Sequence, residues 1–73
     1  MAGLSETTKA EIRKNLPDAL EYIAQLFDQG VRDMERCLED PTVSAPQRLS
    51  YRGIRVENLY AAEHIRTAAK AVP

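Results

Sequence analysis

The stretch LPDALEYIAQLFDQGVRDMERCL, residues 16–38, decides the fold. Its apolar residues recur at alternating steps of four and three. Leu16, Leu20, Ile23, Phe27, Gly30, Met34 and Cys37 mark one seam, flanked by Ala19, Ala24, Leu26, Val31 and Leu38. Every outward position between them is polar or charged except Tyr22. That is the wide amphipathic stripe of a helix that needs a partner surface.

Signals on either side of this stretch set the other elements. Thr8 and Glu11 form a capping-box pattern ahead of a short helix over Lys9–Leu16, with residues 1–7 frayed. Pro17 then bends the chain and opens the long helix, with Asp18 in its first turn; a continuous kinked helix is the alternative. The long helix stops at Asp40-Pro41, because a residue before proline avoids the α region. Ser44 and Gln47 form a second capping box, with Pro46 tolerated in the first turn, for a helix over 45–71. So short a connection between long helices requires an antiparallel hairpin. The expected fold is all-α: a short N-terminal helix and a hairpin of two long ones, in one domain spanning residues 1–73.

Counting outward from the loop puts position n of the first long helix opposite 85−n of the second, to within a turn. Gly30 then faces Gly53 and Arg55, Phe27 faces Asn58, Ile23 faces Ala62, and Glu21 faces His64. Along the second long helix the best seam is Tyr51, Ile54, Asn58, Ala61, Ile65, Ala68 and Val72, and Leu49, Val56, Leu59 and Tyr60 fall outside it. A helix that is apolar on several sides packs against several neighbours. One hairpin supplies one neighbour, so a homo-oligomer is expected, with dimerisation into a four-helix bundle the simplest closed form. Size points the same way. Seventy-three residues form a marginal core, ten of the apolar residues are alanine, and the single cysteine offers no disulfide.

Charge and composition exclude several classes. A net charge of −1 argues against broad nucleic-acid binding. Residues 1–40 carry nine acids against five bases, whereas residues 41–73 carry five bases against two acids, so the two halves suit each other as packed neighbours. No stretch approaches the roughly 18 apolar residues that span a bilayer, and the N-terminus lacks the basic-then-apolar pattern of a signal peptide. With one lone thiol, cytoplasmic localisation is expected.

No catalytic, cofactor or metal constellation is legible. Cys37 and His64 are the only candidates for a nucleophilic dyad, and a hairpin separates them along its axis; Cys37 on the seam reads as core. Three features remain as candidate sites. Arg48, Tyr51, Arg52 and Arg55 cluster at the start of the second long helix. Guanidinium forks suit an anionic small ligand such as a nucleotide, or an acidic partner; the competing expectation pairs these arginines with Asp33, Glu35, Glu39 and Asp40. Val56, Leu59 and Tyr60 form an apolar strip suited to another subunit or a protein partner. Asn58, polar on a packing seam, suits register-setting against its own symmetry mate, with a hydrogen bond inside the protomer as the alternative. Together these point away from an enzyme and toward a small homo-oligomer that binds another macromolecule, as an adaptor, inhibitor or regulator of the accessory or phage type.

Overall fold

The computed structural model describes residues 3–71. They form two helices, α1 (Glu6–Glu39) and α2 (Ala45–Lys70), packed against each other as a hairpin. The boundaries at the loop follow from the local chemistry. Ser44 Oγ accepts from the Gln47 backbone N–H at 3.3 Å, and Gln47 Oε1 accepts from the Ser44 backbone N–H at 3.1 Å, completing the capping box. At the other side of the loop, Asp40 is extended and its carboxylate accepts from the Thr42 N–H at 2.9 Å and the Thr42 hydroxyl at 2.7 Å. This Asx turn ends α1 and reverses the chain.

There is no separate short N-terminal helix. α1 runs without a break through Pro17 and begins three residues before the expected Lys9, capped by Ser5 rather than Thr8. Ser5 Oγ accepts from the Thr8 N–H at 3.1 Å, so Thr8 is spent as a donor inside the first turn. Of residues 1–7, expected to fray, Glu6 and Thr7 are helical, and residues 1 and 2 lie outside the described residues. Proline interrupts a helix by removing one N–H and crowding the carbonyl four residues back. That carbonyl belongs to Arg13, which is exposed, so water can take the place of the missing donor.

The two helices meet along a seam of heptad spacing. On α1 it comprises Leu20, Ala24, Phe27, Val31, Met34 and Leu38; on α2 it comprises Arg48, Tyr51, Arg55, Asn58, Ala62, Ile65 and Ala69. Compared with the expected seam, both helices are rotated by about half a residue position, roughly 50°; Leu20, Phe27 and Met34 of α1 and Tyr51, Asn58 and Ile65 of α2 belong to both seams. Ile23 and Leu26 of α1, and Ile54 and Ala68 of α2, stand exposed at its edge; Val72, the last expected seam position, lies outside the described residues. The rotation brings Glu21, Asp28 and Glu35 within reach of Arg66 and Arg55 on the opposite edge.

Register also shifts. Gly30 lies against Asn58, three residues further along α2 than the loop midpoint implies, and Gly53 has nothing within 4 Å of where a Cβ would stand. The two glycines therefore do not oppose each other, and Glu21 meets Arg66 instead of His64, which is exposed. At the far end, Lys70 comes level with Asp18, so the first three turns of α1, roughly 16 Å, run beyond α2. The hairpin measures 56 × 25 × 14 Å, which is one helix layer thick.

Candidate functional site

At about 100° per residue, the seam divides the surface of each helix into a left flank, a right flank and an outer side. Ion pairs fix which flanks lie together. Glu21, Asp28 and Glu35 recur every seven residues on one flank of α1, facing Arg66 and Arg55 of α2. The Arg66 guanidinium forks between two carboxylates. It donates to Glu21 at 3.1 and 3.0 Å, and to Asp28 at 3.2 and 2.7 Å. These hydrogen bonds, more than the net charge of Arg66, hold both carboxyls below the usual carboxylate range. In return, the two carboxylates raise Arg66 above the usual arginine value. Arg55 Nε stands 3.6 Å from Glu35 Oε1, an ion pair without a hydrogen bond.

Arg66 does not stand out in the sequence. The available signal is a pair of carboxylates two helical turns apart with one arginine at matching height, and reading it requires the correct register to within one turn.

The arginine and tyrosine cluster is divided by the fold. Arg48 donates to the Leu38 carbonyl at 2.7 Å and the Asp40 carbonyl at 2.9 Å, satisfying backbone acceptors that the end of α1 leaves open. Tyr51 and Arg55 are half-buried on the seam, and Arg52 alone is exposed. Of the acids expected to pair with them, Glu35 takes Arg55. Asp40 meets Arg48 through its backbone, while its carboxylate is held low in pKa by the Thr42 N–H and hydroxyl. Asp33 is engaged on its own helix, between Gln29 and Arg36.

The opposite broad face is apolar. Ile12, Leu16, Ala19, Ile23 and Leu26 of α1 lie on the flank away from the ion pairs, as do Ile54, Ala61, Ile65 and Ala68 of α2. Leu26 is 54% exposed and Ile54 42%. The projecting turns of α1 carry a groove between Thr8, Glu11, Ile12, Asn15, Leu16 and Ala19. Away from that groove, Asn58 lies against Gly30 at the inner edge of the broad face, and the Asn58 amide makes no hydrogen bond to another described residue.

The expected strip of Val56, Leu59 and Tyr60 is exposed but divided. Val56 and Tyr60 lie on the outer side of α2 together with Leu49, which is 69% exposed, and Arg52 stands beside them. Leu59 turns toward the ion-paired face, where it borders a shallow groove with Asp28, Glu63, Arg66 and Lys70.

Among the described residues no group of three or more His, Cys, Asp or Glu side chains is placed to hold a metal, and no helix is long and apolar enough to cross a membrane. No family model, curated protein or solved structure matches this chain.

Proposed function

We propose that this chain is a binding module: a self-associating helical hairpin that presents the outer side of α2 to another protein and acts as an adaptor, inhibitor or regulator. The observation that carries it is the exposed row Leu49, Val56 and Tyr60, which points away from α1 and has Arg52 at its edge. Within one hairpin nothing can cover an outer side. Large apolar residues along one side of a helix suit the apolar stripe of a partner helix, and tyrosine and arginine are favoured at such contacts. Arg52 makes no ion pair with a described residue and is available to an acidic side chain of that partner. Cytoplasmic placement belongs to the same proposal and is supported by the free thiol of Cys37.

The experiment is affinity capture from lysate of the native source with Val56→Asp and Tyr60→Asp as controls. A stoichiometric protein retained by the wild type and lost from both variants, with helicity and mass unchanged, supports the proposal. Equal capture by wild type and variants removes the outer side of α2 from consideration. The alternative, an anionic small ligand such as a nucleotide, has Arg52 as its one uncommitted guanidinium in the cluster. Thermal stabilisation by a nucleotide that disappears in Arg52→Ala would favour it.

A further inference from the structure

We infer that a second copy of this chain covers the apolar broad face, closing the one-layer hairpin into a two-layer, four-helix bundle. This rests on the self-association in the proposed function and assigns it a surface, one different from the outer side of α2 offered to a protein partner.

Area is the first argument. The chain exposes 5691 Å², whereas a compact folded monomer of its mass exposes about 4,500 Å². The excess, on the order of 1,200 Å², is comparable with the roughly 800 Å² that each partner hides in a stable interface. The radius of gyration of 17.6 Å likewise exceeds the ~11 Å of a compact chain this long. Domains are built from at least two packed layers, and this hairpin supplies one.

The core identifies the occupant. Among the described residues only Ala24, Val31 and Ala62 are buried, and no large side chain is fully enclosed. A hairpin with so little interior depends on whatever covers it in order to stay folded. The occupant must therefore be present wherever the chain is, in matching amount. Another copy meets that condition without any further component.

The face is also suited to itself. Ile23, Leu26 and Ile54 project from it, while Ala19 and Ala61 leave hollows between them. A face that alternates large and small residues can interdigitate with an identical one, which is what a two-fold interface requires. The interhelical ion pairs of Arg55 and Arg66 all lie on the opposite face, so two copies can meet here without bringing those charges together. The Asn58 amide, unbonded within its own protomer, lies at this face and is available to the second copy.

Sedimentation of the wild type at micromolar concentration, compared with Ile23→Glu/Leu26→Glu and with Val56→Asp/Tyr60→Asp, tests the assignment. The wild type is expected at twice 8.2 kDa or above, the outer-side variant at the same mass, and the broad-face variant as a monomer or an unfolded chain. Should the broad-face variant unfold, the wild-type thermal midpoint must rise with protein concentration, as folding coupled to association demands. A fully helical wild-type monomer, a concentration-independent midpoint beside an unfolded variant, or a broad-face variant that keeps the wild-type mass overturns the inference. Dissociation caused only by the outer-side substitutions also overturns it and moves the interface to α2's outer side. Loss of partner capture with the oligomer intact bears on the proposed function alone.

Discussion

The Asn58 side chain lies directly over Gly30: a Cβ at position 30 would come 2.5 Å from Asn58 Nδ2 and 3.2 Å from its Cγ. Glycine costs a helix interior about 1 kcal/mol relative to alanine, so a gain on substitution is expected wherever there is room. Here there is none until the amide moves. Gly30→Ala should therefore yield little or lose stability alone, and recover about 1 kcal/mol in an Asn58→Ala background. Urea unfolding of the two single variants and the double variant measures the coupling. Additive effects would show that the contact does not constrain position 30.

Gly53 provides the contrast, because nothing lies within 4 Å of where its Cβ would stand and its backbone is ordinary helix. Gly53→Ala should stabilise the protein by about 1 kcal/mol through propensity alone. A loss, read from the same urea curves, would indicate that a second chain approaches the α2 backbone at this point.

Pro17 tests the continuity of α1. In the interior of a helix, proline forfeits a hydrogen bond and costs roughly 3 kcal/mol; in a first turn it costs little. Pro17→Ala should raise stability by about 1–3 kcal/mol and strengthen the helical circular dichroism signal. An unchanged midpoint would restore the two-helix arrangement that the sequence suggests.

The contrast between α1's end and its beginning shows what the sequence makes legible. Asp40-Pro41 and the Ser44–Gln47 box act through bonds between near neighbours, so the hairpin and its loop can be read directly. Ser5 and Thr8 can both cap a helix, and whether that helix passes through Pro17 is a separate balance of one local cost against continued helix, which the sequence pattern does not decide. Rotation about the seam is less accessible. A stripe that includes both Ile23 and Val31 is wide enough to pack at either edge, and long-range pairs, Arg66 with Glu21 and Asp28, accompany the orientation adopted. The apolar broad face escapes a reading of the sequence for the same reason, since the periodicity alone places Ile23 and Ile54 on the hairpin's own seam. The arginine cluster at 48–55 is visible as composition. Its division among the Leu38 carbonyl, Glu35 and solvent depends on register.

Arg66 also makes the protein's stability depend on pH in a predictable direction. Hydrogen bonds from its guanidinium lower the pKa values of Glu21 and Asp28 in the folded state. For carboxylates depressed on folding, the unfolded chain binds protons first as pH falls, so their contribution is complete above the unfolded values near about 4 and is lost below them. The thermal midpoint should therefore be level from neutral pH to about 5 and fall as acid protonates the pair. Replacing Arg66 with Met removes the donor and leaves Glu21 and Asp28 as neighbouring like charges, whose repulsion acid relieves. The Arg66→Met midpoint should be lower than wild type at neutral pH and less sensitive to acid. Some sensitivity must persist through Asp40, whose carboxyl is lowered independently by Thr42. Parallel midpoint-versus-pH curves for wild type and Arg66→Met would show that the fork between Glu21 and Asp28 contributes nothing to the acid response.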